Sequence, residues 1–202
     1  MVGGGYMKRI CVFCGSSPGV RTSYAEAAVS LGHTLVETGL DLVYGGADVG
    51  LMGILARTVL DSGGRVTGVI PRMLVEKEVA FTRVEDLRVV QSMHERKALM
   101  AELADGFIAL PGGIGTMEEF VEVLTWSHLG IHRKPCGLLN SGGYYDRLLG
   151  FLDHMAEEGF VRPESREALL VDEDPAVLLM RMNLYRSPTM DTAGWALGMS
   201  NA

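Results

Sequence analysis

The stretch Gly106-Phe107-Ile108-Ala109-Leu110-Pro111-Gly112-Gly113-Ile114-Gly115-Thr116-Met117-Glu118-Glu119 decides the fold. Its first five residues are an apolar run that reads as a buried strand, and residues 117–129 carry a helical pattern. A glycine-rich turn between strand and helix exposes backbone N–H groups. It also aims the positive end of the helix dipole at whatever binds there, which is the arrangement that holds phosphate. Glu118 and Glu119 are expected in the first turn of that helix. A carboxylate beside an anion cradle suggests chemistry on a phosphorylated sugar or nucleotide.

The same alternation extends in both directions. Residues 9–13, 40–44, 65–70 and 87–90 read as strands before it, and 135–139 and 169–171 after it, the last as an edge strand. Helical periodicity covers residues 23–37, 51–61, 92–104, 144–158 and 174–182. Ser92 followed by Glu95 predicts a capping box, and Gly39 and Gly159 are helix stops. Residues 71–85 read as a loop with a short helix. Near-continuous apolar strands alternating with helices predict an α/β fold, a single Rossmann-like doubly wound parallel sheet with helices on both faces. Residues 9–183 form one domain in this reading, residues 1–8 a flexible leader and residues 184–202 a loose tail. Such a sheet binds its ligand outside the C-terminal strand ends. Three glycine turns leave strand ends there: Gly15-Ser16-Ser17, residues 45–50, and residues 111–116.

The chain of 202 residues is 48% hydrophobic and long enough for a sizeable core. A formal charge of −7 argues against a nucleic-acid or anionic-membrane surface. No apolar run is long enough to span a bilayer, and the N-terminus has no signal-peptide core, so a cytoplasmic protein is expected. Three cysteines give no disulfide framework. Cys11 and Cys14 spell C-x-x-C within a strand, where residues three apart face opposite ways, so they read as buried strand cysteines. His128 and His132 lack the Glu of a zinc-protease helix and straddle Gly130, a helix end. No metal site and no cofactor is predicted.

None of the glycine turns is a P-loop or a G-x-G-x-x-G fingerprint. Two readings of residues 111–119 stay open on the residues alone: a phosphate cradle, or a tight turn in which Thr116 and Glu119 form a capping box. Arg96 and Lys97 likewise read either as solvated charges or as ligand-side cations. The helix that carries them starts at a strand end on the binding side of the sheet. An arginine there can fork onto a phosphate or a ribosyl oxygen.

Several spaced motifs together resemble the LOG ("lonely guy") family, long labelled lysine decarboxylases. The signature P-G-G-x-G-T-x-x-E runs from Pro111 to Glu119. Around it stand C-V-F-C-G-S-S from Cys11, V-Y-G-G from Val43, G-L-M-G from Gly50, M-H-E-R-K from Met93 and T-W-S-H-L-G-I-H from Thr125. The resemblance implies a phosphoribohydrolase that cleaves the N-glycosidic bond of cytokinin riboside monophosphates or AMP. It implies Arg96 and Glu119 as the catalytic pair. Glu78, Lys97, Gly113, Ile114, Gly115, Thr116, Met117, Glu118 and Thr125 would line the substrate site, with Gly15, Ser16, Gly45, Gly46 and Met52 beside them. The partner it implies is a nucleoside monophosphate in a homodimer or higher homo-oligomer. Ile114 stands where plant members commonly have Tyr. The alternatives are a nucleosidase of broader base range and a non-catalytic nucleotide-binding module. A pyridoxal-dependent decarboxylase would need a Schiff-base lysine. Among Lys8, Lys77, Lys97 and Lys134 only Lys97 is a candidate, with no phosphate cup and aspartate readable around it.

Overall fold

The computed structural model describes residues 7–75 and 80–188. Strands β1 (Arg9–Phe13), β2 (Asp41–Tyr44), β3 (Val66–Pro71), β4 (Asp86–Val90), β5 (Gly106–Ala109), β6 (Cys136–Leu139) and β7 (Leu169–Asp172) form one sheet in the order β4-β3-β2-β1-β5-β6-β7. Every pairing is parallel. The chain winds outward from β1 to β4, then returns to β5 and winds outward the other way. Its switch point therefore lies between β1 and β5, where a doubly wound sheet opens its ligand crevice.

Alternation along each strand sorts the side chains into two cores. Ile10, Val12 and Cys14 face one layer, with α1 (Thr22–Glu37), α2 (Gly50–Asp61) and α8 (Pro175–Leu184). Cys11 and Phe13 face the other, with α4 (Met93–Leu103) and α5 (Ile114–His128). Phe13 stacks on Phe107 across the β1–β5 pair at 6.2 Å. Cys11 and Cys14 thus lie on opposite faces, both free and buried. Short α3 (Arg72–Val75) and α7 (Pro163–Glu167) and α6 (Asp146–Glu157) complete the elements. Among the described residues, no helix is long and apolar enough to cross a membrane.

Three expectations need correction. Helix α5 begins at Ile114, three residues before the predicted start, so Glu118 and Glu119 occupy its second turn. A glycine N-cap conceals that start, because the usual polar cap is missing. Residues 144 and 145 are not helical: Gly142 and Gly143 adopt φ of 57° and 70° in a 3₁₀ turn, and α6 starts only at Asp146. Helix α7 was not predicted; its five residues are too few to show a period, and only Pro163 at its start signals it. The predicted tail falls partly outside the described residues, and α8 extends to Leu184 within it.

Candidate active site

Helices α4 and α5, which carry Arg96 and Glu119, start differently. Ser92 caps α4 by accepting a hydrogen bond from the Glu95 N–H at 3.1 Å, while the Glu95 carboxylate accepts from the Gln91 N–H at 2.8 Å. Such a cap stabilises a helix by about 1 kcal/mol. Helix α5 has Gly113 as N-cap and no side-chain cap. Its first N–H groups, which no helix can pair internally, are left for something else. Thr116 and Glu119 do not form a capping box, because both lie inside the helix.

The three glycine loops are tied together at this point. Gly15 N–H donates to the Pro111 carbonyl at 3.0 Å, and Leu51 N–H at the start of α2 donates to the Gly15 carbonyl at 3.0 Å. A cavity of about 200 Å³ opens between them, lined by Ser16, Ser17, Tyr24, Gly112, Gly113 and Tyr144 among others. The fold requires glycine at 112, where a Cβ would meet Thr116 Oγ1 at 2.1 Å and Gly15 N at 2.9 Å. It does not require glycine at 113 or 115. A Cβ at either meets nothing within 4 Å, and neither has a left-handed φ. The open face of the turn is free of side chains for no reason internal to the protein.

One helical turn further on, Glu119 meets Arg96 from α4, with Oε1 and Nη2 2.9 Å apart. Both residues are only 8% exposed. Burial raises the Glu119 carboxyl above its ordinary range, and the Arg96 charge opposes that rise without cancelling it. Arg96 also donates to Met93 Sδ at 3.8 Å, and its buried Nε has no partner among the described residues. The Cys11 and Cys14 thiols, on opposite faces of the sheet, both feel the Glu119 charge. Burial pushes both up, and that charge adds to the effect.

The other residues named from sequence separate into groups. Gly113, Ile114 and Gly115 are exposed around the uncapped helix start, Met117 is half-buried and Thr116 is buried beneath it. Gly45 and Gly46 are buried: a Cβ on Gly45 would meet Arg96 Nη2, and one on Gly46 would meet Ile70. Met52 Sδ borders Gly45. Glu78 lies outside the described residues. The chain is next described at Ala80, which bridges Ala47, and Phe81 N–H donates to the Gly46 carbonyl. Lys97 Nζ is held by Glu118 at 2.5 Å and Glu122 at 3.1 Å. Thr125 is exposed and donates to the Val121 carbonyl at 2.7 Å, on a flank of α5 away from Glu119. Two residues that hold the glycine turn before α5 were missed. Tyr144 Oη donates to the Gly112 carbonyl and Tyr145 Oη to the Leu110 carbonyl. A polar aromatic pair after a glycine turn at a strand end was the available signal.

A family model described as "Possible lysine decarboxylase" matches residues 52–182. Two curated relatives are 51% identical over 178 residues, 88% of this chain. They are the cytokinin riboside 5′-monophosphate phosphoribohydrolases LOG3 of Arabidopsis thaliana, covered to 83%, and LOG of Oryza sativa subsp. japonica, covered to 74%. The chain belongs to the LOG family. Among solved structures, the molybdenum cofactor carrier protein of Chlamydomonas reinhardtii superposes with a TM-score of 0.67 at 21% identity, over 89% of this chain and 99% of that one. The molybdenum cofactor binding protein of Rippkaea orientalis gives 0.66 at 20%, over 88% and 98%. These two show the shared fold. Membership does not carry the decarboxylase chemistry of the older label. Lys97 is clamped between two carboxylates, and the hydrogen bond it donates to Glu118 raises its pKa. A Schiff-base lysine needs the opposite shift.

Proposed function

We propose that this LOG-family protein hydrolyses the N-glycosidic bond of adenosine 5′-monophosphates, including N6-substituted ones, to free base and ribose 5-phosphate. The observation that carries the reading is the buried Arg96–Glu119 pair one turn inside an uncapped, glycine-opened helix start. The phosphate sits against the N–H groups at the start of α5. Ile114 and Glu119 are five residues apart, about 7 Å along the helix axis, a separation that spans a ribose 5-phosphate. The Glu119 carboxylate then lies beside the anomeric carbon.

Breaking a ribosyl–base bond builds positive charge on the sugar. A desolvated carboxylate stabilises that charge more strongly than a hydrated one and activates the attacking water. Arg96 fixes the carboxylate and offers its remaining N–H groups to ribose oxygens. Binding energy gathered at the phosphate positions the distant reacting bond. Lys97, on α4, pairs with Glu118 and Glu122 on the flank of α5 that also carries exposed Thr125 and Val121 and leads to exposed Leu129. In this reading that flank meets a second copy, giving a homodimer.

The deciding experiment incubates the protein with isopentenyladenosine monophosphate, AMP, CMP and unphosphorylated adenosine, and resolves the released bases by chromatography. Base is expected from the adenine nucleotides. Adenosine is expected to react at least about a hundredfold more slowly, because it lacks the anchoring group. Absence of base from all four would overturn the reading, and release from CMP would broaden it.

The glycines at 113 and 115 provide a second test. Gly115→Ala should fold at least as well as wild type, since alanine is favoured over glycine in a helix by up to about 1 kcal/mol. It should nevertheless raise KM for AMP by about tenfold or more, because the methyl group occupies space the phosphate approaches. A variant with wild-type KM would show that this face does not meet the ligand.

A further inference from the structure

Four successive carbonyls at the end of β5 each have a partner. Leu110 O accepts from Tyr145 Oη at 2.6 Å, Pro111 O from Gly15 N at 3.0 Å, Gly112 O from Tyr144 Oη at 2.5 Å and Gly113 O from Met117 N at 3.1 Å. In a trans peptide the N–H points opposite to the carbonyl of the same plane. Pinning Gly112 O therefore aims the Gly113 N–H to the other side. Pinning Leu110 O aims no donor at all, because the next residue is Pro111.

We infer that Tyr144 is a positioning residue for the phosphate cradle: its phenol holds the Gly112–Gly113 peptide so that the Gly113 N–H faces the substrate phosphate. This rests on the reading that the phosphate sits at the start of α5. Tyr145, its neighbour, is a structural pin with no part in binding.

The surroundings of Tyr144 are built for that task. The ring is 40% exposed, so its burial alone does not explain its place. Tyr24 meets it edge-on at 5.5 Å and Tyr145 at 4.9 Å, so the phenol cannot swing away. The turn that presents it is fixed from three sides. Buried Asn140 accepts from Tyr145 N–H at 2.6 Å and donates to Asp146 at 2.8 Å, and Arg21 Nη1 donates to the Gly142 carbonyl at 3.2 Å.

The test compares Tyr144→Phe and Tyr145→Phe with wild type, using thermal melts, AMP kinetics, and competition by ribose 5-phosphate and by adenosine. Tyr144→Phe keeps both ring contacts, and water can replace its hydroxyl at a half-exposed position, so its melting temperature should match wild type. Its KM for AMP and its inhibition constant for ribose 5-phosphate should both rise about five- to tenfold, the loss of roughly one hydrogen bond. Its kcat and its affinity for adenosine should be unchanged. Tyr145→Phe leaves a buried carbonyl unpaired, so it should melt earlier yet keep the wild-type KM. Unchanged ribose 5-phosphate inhibition in Tyr144→Phe would overturn the inference. So would equal losses for ribose 5-phosphate and adenosine, or an early melt without a selective KM change. If wild type itself were not inhibited by ribose 5-phosphate, the underlying phosphate reading would fail instead.

Discussion

Replacing Glu119 with glutamine is expected to lower kcat for AMP hydrolysis by about 10²–10⁴-fold, the range set by losing a positioned acid–base group. The protein should nonetheless melt slightly later at neutral pH. Both expectations come from one fact: Glu119 is buried, and desolvation holds its carboxyl above its ordinary range despite Arg96 2.9 Å away. Glutamine has the shape of the protonated carboxyl and fills the same space, but it cannot stabilise a positive sugar or activate water. The sign on stability follows from proton linkage. The folded state binds this proton more tightly than the unfolded chain, so Glu119 contributes stability below the unfolded carboxyl pKa of about 4.3, and that contribution is lost as pH rises through the folded value. Glu119→Gln never ionises and escapes that loss. Its melting temperature should exceed that of wild type at pH 7, and the gap should close toward pH 4. The acid limb of the wild-type kcat/KM profile should sit above an ordinary carboxylate pKa for the same reason. A Glu119→Gln variant with near-wild-type kcat would remove this residue from the chemistry.

The sheet was legible in the sequence because its inner strands are buried on both faces. Runs such as Phe107-Ile108-Ala109-Leu110 carry β-type apolar character whatever their neighbours, and glycine turns bound them. The start of α5 was not legible in the same way. Sequence signals of a helix start are capping side chains, and this helix presents Gly113 there instead, with Ile114 and Gly115 reading as turn. Thr116 and Glu119 then imitate a capping box three residues late. The α4 start, which its own Ser92 and Glu95 cap, was read correctly from those two residues. A rule of local consistency failed where the chain leaves donors open. Arg96 and Glu119 lie on different helices, so no local pattern pairs them, and their pairing came from the family motif. The tyrosine pins were hidden by the helical pattern of residues 144–158, which masks the turn that aims them.

Gly45→Ala is expected to cost about 10²-fold in kcat/KM without unfolding the protein, the penalty of misplacing a reacting group by about 1 Å. Gly45 is buried at the end of β2 and has no left-handed φ, so alanine is compatible with its backbone. The main obstacle is the end of one side chain. A Cβ at Gly45 would lie 2.4 Å from Arg96 Nη2 and 3.2 Å from its Cζ, with Met52 Sδ 3.3 Å away. The far end of an arginine can move where backbone cannot, so the guanidinium gives way and its 2.9 Å contact with Glu119 is lost. Glu119 then keeps its burial without its cation, so its carboxyl rises further. The acid limb of the pH–rate profile should shift upward in Gly45→Ala, a change that loosening of the fold would not produce. The pair also makes a sharper demand. If Gly45 acts only by leaving room for Arg96, the Gly45→Ala change should be nearly silent in an Arg96→Ala background, because the two substitutions remove the same interaction. Single-turnover rates of the two single variants and the double variant decide it. Losses that multiply would mean that Gly45 acts on the ligand directly, and that Arg96 reaches its place without it.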